Sequence, residues 1–223
     1  MTLLGSRIRY KVFESKNNMT RPDFSLENQL HHPHIAGVDE VGYGAWSGPV
    51  VVAAVVCCPQ AMSPDFLSQI HDSKKMSPVQ RETVFRTFMS HPEMGQSAID
   101  YVTVEDMNRG CVLRCTLHAM AHAVQAVGAK AVLVDGCHPI PLDIMQKSIP
   151  RGDGKSVSIA LASIIAKVVR DREMVRLSVQ HPLFHWDQNK GYGTLLHRKA
   201  IAKNGLTSHH RKVYCRRVLE KGL

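Results

Sequence analysis

Asp39 and Glu40 stand side by side in an otherwise apolar run, Ile35-Ala36-Gly37-Val38-Asp39-Glu40-Val41. Burying two adjacent carboxylates is costly unless something positive joins them. Successive strand residues point to opposite faces, so both acids reach one site only through distortion, glutamate's extra methylene or a strand end. Gly37 and Gly42 would permit distortion. Asp135 closes a second apolar run, Ala131-Val132-Leu133-Val134, and the carboxyl ends of core strands are where α/β sheets hold ligands. Asp153 lies in Arg151-Gly152-Asp153-Gly154-Lys155-Ser156, just ahead of an apolar helical stretch. An N-cap role would also explain it, although Ser156 and Ser158 lie nearer the helix start. Taken together, carboxylates without thiol or imidazole company suit a hard cation, Mn²⁺ or Mg²⁺, and not zinc.

Paired hard cations on a nucleic acid imply phosphodiester cleavage, one ion activating water and the other stabilising the leaving oxygen. The charge distribution points to the same class of substrate. The formal charge is +9, and residues 190–223 hold nine basic residues against Glu220 alone, whereas residues 35–189 are close to neutral. A neutral body with a cationic C-terminal face suits a polyanion; a merely solvated basic tail is the alternative. Lys74 and Lys75 could meet phosphates or form a solvated pair.

The six cysteines, at 57, 58, 111, 115, 137 and 215, lack the paired spacing of a zinc site and read as buried or reduced thiols, with Cys111 and Cys115 on one helix face. His31, His32 and His34 have no acidic or thiol company and lie in a polar stretch. No apolar run approaches the length of a membrane span, and Met1–Thr20 lacks a secretory apolar region, so a cytoplasmic protein without membrane association is expected.

Positioning the acids requires a sheet. Residues 1–34 show no sustained period and read as an N-terminal extension with scope for flexibility; residues 35–223 form the folded domain. Ile35–Val41 and Val50–Cys58 read as two strands joined by a glycine-rich turn, and Ser77-Pro78 opens a helix running toward Met89. Ala98–Val104 reads as a strand, Asn108–Val127 as a helix stopped by Gly128, and Ala131–Val134 as a short buried strand. A proline-rich loop follows. Ser158–Leu177 is apolar on every side through Val168 and so packs against the sheet until Arg170-Asp171-Arg172 brings it out. This order predicts an α/β fold, a mixed β-sheet flanked by helices, with a helical basic appendage from about Pro182.

The run from Gly37 through Asp39-Glu40-Val41-Gly42-Tyr43-Gly44 to Pro49-Val50 resembles the opening signature of ribonuclease HII, the bacterial type 2 ribonuclease H. Asp72-Ser73-Lys74-Lys75, Val134-Asp135-Gly136, Gly152-Asp153, Ser158 through Lys167 to Arg170-Asp171, and Asn189-Lys190-Gly191-Tyr192-Gly193-Thr194 with His197-Arg198 follow in the family's order. The resemblance implies a ribonuclease H-like fold and an endonuclease that cuts the RNA strand of RNA/DNA hybrids. It also implies cutting 5′ of single ribonucleotides embedded in duplex DNA, leaving a 3′-hydroxyl and a 5′-phosphate.

By the same resemblance, Asp39, Glu40, Asp135 and Asp153 match the acidic tetrad that binds the divalent ions. Gly42, Tyr43 and Gly44 match the turn that approaches the ribose 2′-hydroxyl, and Tyr192 matches the ring that stacks at the RNA–DNA junction. Monomers are the family default. The family usually carries Gly-Arg-Gly where this chain has Gly42-Tyr43-Gly44, so a guanidinium able to contact phosphate is replaced by a neutral ring. That exchange bears on the single-ribonucleotide activity. It also motivates an alternative, a catalytically weakened hybrid-binding module of the same fold. Ribonuclease HIII shares the Asp-Glu-Val-Gly opening, but the short stretch before it and Gly191-Tyr192-Gly193-Thr194 favour HII.

Overall fold

In the computed structural model, which describes residues 21–221, five strands form one mixed sheet in the order β3-β2-β1-β4-β5. They are β1 Ile35–Val41, β2 Val50–Cys57, β3 Gly95–Val102, β4 Ala131–Asp135 and β5 Met145–Ile149. β1–β2–β3 is an antiparallel meander, whereas β4 runs parallel to both β1 and β5. The helices are α1 Ser25–Gln29, α2 Pro64–Gln69, α3 Pro78–Ser90, α4 Val104–Arg109, α5 Val112–Ala126, α6 Val157–Gln180, α7 Trp186–Asn189, α8 Leu195–Asn204 and α9 Lys212–Lys221.

The side-chain period of two divides β2 between the helical layers. Val51, Ala53 and Val55 pack with α6, while Val52 and Ala54 pack with α5. Because β2 is covered on both faces, it is buried along its whole length. The first half of α6 is enclosed as its composition predicts: Ile159, Leu161, Ile164 and Ile165 are fully buried. Each such burial stabilises by about 1.5–3 kcal/mol. Ser156 caps this helix, its hydroxyl accepting from the Ile159 amide, so Asp153 is free of that duty. Ser77 caps α3 through a capping box with Gln80.

Gly37 is where β1 meets α6, since a Cβ there would sit 2.3 Å from the Ile159 nitrogen. The glycine therefore serves close helix–strand approach and not strand distortion; the β1–β2 register runs without interruption from Ala36 to Val41.

Several boundaries differ from the sequence expectation. The third strand begins at Gly95, and Val104 already belongs to α4, because Thr103 caps that helix through the Asp106 amide. The helix expected over 108–127 is broken at Gly110-Cys111, which makes Cys111 the N-cap of α5 and not a helix-face partner of Cys115. β5 lies in the stretch read as a loop; its alternating burial marks an edge strand with only half a core face. α2 was also hidden, a single short turn capped by Ser63.

Of the N-terminal extension, residues 1–20 lie outside the described residues, but 21–34 are docked. The Asp23 amide donates to Lys155 O, the Val157 amide donates to Asp23 O, and Phe24 and Glu27 are buried. Arg170 does not bring α6 out to solvent; it is fully buried.

Candidate active site

The β1–β4 ladder ends at the pair Val38–Val134, so the next residue on each strand, Asp39 and Asp135, stands at adjacent carboxyl ends of parallel strands. Asp39 pairs with Ala53 and shares the α6 face, where it is buried. Ser163 Oγ lies 2.9 Å from Ser73 Oγ, which ties α6 to the loop before α3. Glu40 pairs with Val52 and takes the opposite face, at a strand end and not a bulge. Its amide donates to Asp39 Oδ1 at 2.7 Å.

Asp135 accepts from the Gly152 amide at 2.6 Å, which pins the turn carrying Asp153 against the end of β4. Lys74 reaches in from the loop before α3, with Nζ 3.2 Å from Asp153 Oδ2. Lys75 turns away and faces Asp72 at 4.0 Å.

Electrostatics shows how closely the acids crowd. Burial, then Glu40 and Asp135, push the Asp39 carboxyl well above its ordinary value. Burial, then Asp135, lift Glu40 to about 7, with Lys74 opposing the shift. Burial and Asp153 raise Asp135 against the Gly152 amide. Mutual repulsion of this kind is what a divalent cation relieves. Among the described residues no three acid, thiol or imidazole groups already enclose an ion. The donors nevertheless fit one, because all four are oxygen donors and Asp153 is paired with a lysine whose side chain is largely exposed.

Beside Glu40 and Asp135 opens a cavity of about 240 Å³ walled by Leu113, Leu117 and Met120, with Tyr43 at its rim. Tyr43 and Tyr192 are both about one-third exposed, at 38% and 37%. Gly42 adopts φ 97°, and a Cβ there would lie 2.0 Å from Arg170 Nε, so the turn requires glycine on both counts.

The ribonuclease HII family profile matches residues 36–218. The Ribonuclease HII of Wolbachia pipientis subsp. Culex pipiens (strain wPip) is 43% identical over 196 residues, covering 87% of this chain and 96% of that one. The chain belongs to the ribonuclease HII family. It is thus an endoribonuclease of the type 2 ribonuclease H class. Among solved structures, the ribonuclease H2 of Pyrococcus horikoshii OT3 aligns with TM-score 0.70 at 21% identity, covering 84% of this chain and 98% of that one. Bst-RNase HIII in complex with Mn²⁺ aligns with TM-score 0.67 at 20% identity, covering 85% and 70%. Both share the fold.

The cationic C-terminal face predicted for this family member is real but thinner than the sequence suggests. Arg198, Lys199, Lys203, Lys212 and Arg216 are exposed, whereas Arg211 is 1% exposed and faces inward. From sequence, Arg170 reads as the point where the helix comes out to solvent and Arg211 as one more cation of the basic tail, with no site role for either. The first follows Val168-Val169 within the buried half of α6, and that position was its signal; the second is masked by the basic tail around it.

Behind Tyr192, His197 and His210 form a buried neutral pair. Trp186 Nε1 can only donate, so His197 Nε2 accepts at 3.1 Å and Nδ1–H donates to Tyr192 O at 3.0 Å. His210 Nδ1 accepts from the Thr207 amide at 2.9 Å, leaving Nε2–H to donate to His197. Burial and His197 depress His210 to about 3. Below pH ~6.5 the unfolded chain binds a proton the native ring refuses, so stability falls as pH drops from there toward 3, by up to ~1.4 kcal/mol per unit. The raised carboxyls act in the opposite direction. Urea midpoints should therefore fall more steeply between pH 7 and 5 in the wild type than in His210→Asn; equal slopes would remove this assignment.

Proposed function

We propose that the chain hydrolyses the RNA strand of RNA/DNA hybrids, and also cuts 5′ of single ribonucleotides embedded in duplex DNA. Metal-dependent hybrid cleavage is the activity that goes with the family. The observation that carries the proposal is the meeting of Asp39 and Asp135 at neighbouring parallel strand ends, with Asp153 pinned beside them through Gly152.

Asp39, Glu40, Asp135 and Asp153 would hold Mn²⁺ or Mg²⁺. When bound, such ions supply an activated water and charge stabilisation at the leaving oxygen. The protein's own contribution is orientation. The Glu40 and Gly152 amides fix two of the carboxylates, and Lys74 pairs with Asp153 until a cation competes for it. The Gly42–Gly44 main chain can approach a ribose closely, since Gly44 has open space where a Cβ would be, and the 2′-hydroxyl is the local mark of RNA. The exposed Tyr192 ring offers a stacking platform at the junction. Lys74 and Lys75, both exposed along their side chains, are placed to meet phosphates.

The basic exposed residues of α8 and α9 supply sequence-independent affinity for the duplex. No helix among the described residues is long and apolar enough to cross a membrane. We place the protein in the cytoplasm, acting as a monomer.

The test is cleavage of a labelled RNA/DNA hybrid with Mn²⁺, then with EDTA, alongside a DNA duplex carrying one ribonucleotide and an all-DNA duplex. The expected outcome is chelator-sensitive product from the first two, cut 5′ of the ribonucleotide in the second, and none from the third. Binding without product would leave a hybrid-binding module, and cleavage of the all-DNA duplex would make the protein a different nuclease.

A further inference from the structure

Two guanidinium groups are buried under the substrate-facing turns, and among the described residues no carboxylate is hydrogen-bonded to either. Arg170 is fully buried, and its Nε donates to Pro49 O at 2.9 Å, Nη1 to Lys190 O at 2.9 Å and Nη2 to Ser47 O at 3.1 Å. Arg211 is 1% exposed; its Nη1 donates to Tyr43 O at 2.8 Å, while Nε and Nη2 both donate to Gly48 O, at 3.0 and 2.9 Å. Every one of these acceptors is a main-chain carbonyl. Burial lowers both arginines, Arg211 to about 10, yet both remain charged at neutral pH.

A buried charge with no carboxylate bonded to it is expensive, and a fold gains nothing from two of them that apolar packing would not supply more cheaply. What they do achieve is geometric. The carbonyls belong to two separated segments, 43–49 and 190, which main-chain bonds also stitch: the Trp46 and Ser47 amides both donate to Gly191 O, at 2.7 and 3.1 Å. One segment carries Tyr43 and the other carries Tyr192, over whose ring the Arg170 guanidinium carbon sits 5.4 Å from the centroid. A guanidinium's rigid fork holds several acceptors at fixed spacing, which an ammonium cannot do.

We propose that Arg170 and Arg211 are positioning residues, Arg211 bracing the Tyr43–Gly48 turn on itself and Arg170 tying that turn to Lys190, which together fix the gap between ribose-facing main chain and Tyr192 ring and so set the preference for an isolated ribonucleotide. The inference rests on the substrate reading above. Long hybrids present ribose at every position and tolerate an ill-set gap, because a neighbouring register serves as well. A lone ribonucleotide offers one register only.

The experiment measures kcat/KM on a long hybrid and on a single-ribonucleotide duplex for wild type, Arg170→Lys and Arg211→Lys, each also in a Tyr192→Ala background, with melting temperatures recorded. Both lysine variants keep the charge and lose the fork. The expected result is a selectivity ratio about tenfold lower in each, and less than about twofold further loss once Tyr192 is gone, since the arginines act through that ring. Equal loss on both substrates, or losses that simply add to that of Tyr192→Ala, would overturn the proposal. Should the lysine variants unfold, Gly193→Ala decides alone. Its Cβ would lie 2.4 Å from Trp46 Cε2, prising the two turns apart without touching either arginine. A lowered ratio there supports the lock, and an unchanged ratio refutes it. A wild type inactive on the single-ribonucleotide duplex would instead sink the underlying substrate reading.

Discussion

Asp39→Asn and Asp135→Asn should each lower kcat on a long RNA/DNA hybrid by at least ~10³-fold, roughly 4 kcal/mol of barrier at 1.36 kcal/mol per decade. Each substitution removes an anionic oxygen from a site whose chemistry depends on concentrating divalent charge. Hybrid affinity should stay within about threefold of wild type, because it comes from cations on other elements, among them Arg198, Lys199 and Lys203 on α8. Stability should not fall. Burial and mutual repulsion already raise both carboxyls, so a neutral amide relieves a strain the metal-free protein carries for function. Turnover assays, filter binding and thermal melting together check this. Near-wild-type turnover in both variants would refute the assignment, as would loss of fold.

Tyr192→Ala is the second large effect, and it is selective. A ring stacked on a base is worth about 1–3 kcal/mol by alanine replacement, so cutting at a single embedded ribonucleotide should fall by roughly 5- to 150-fold. On a long hybrid the loss should be severalfold smaller. Tyr192 is well suited to such a measurement because its backbone is anchored independently of its ring: the carbonyl accepts from His197 Nδ1, and the amide donates to Asn189 O at 2.9 Å. Truncation thus removes the platform without releasing the turn. An equal decline on both substrates would leave Tyr192 a structural turn residue.

How far the site was legible in sequence follows from the reach of the interactions involved. β1 and β2 were readable almost to the residue, since β2 is buried on both faces and appears as an unbroken β-branched run. The acids stood out as charges where burial penalises charge. What the sequence hid was mostly contact between distant segments. Glu27 accepts from Ser156 Oγ at 2.6 Å and from Ser158 Oγ at 2.7 Å, closing α1 onto the α6 N-terminus from 129 and 131 residues away. No local period marks such a residue, and the segment around it reads as a tail. Arg211 was concealed for the opposite reason: among surface cations it looks like one more, and only its carbonyl partners distinguish it. β5 failed because an edge strand with one covered face lacks the apolar density of a core strand.

The most direct test of the central claim is Mn²⁺ binding to the protein without nucleic acid, followed calorimetrically in wild type, Asp39→Asn and Asp135→Asn. The account predicts saturable binding to the wild type that either substitution weakens at least tenfold, together with a rise in the wild-type melting temperature on adding Mn²⁺ that both variants lack. Unchanged Mn²⁺ affinity in the two variants would contradict it.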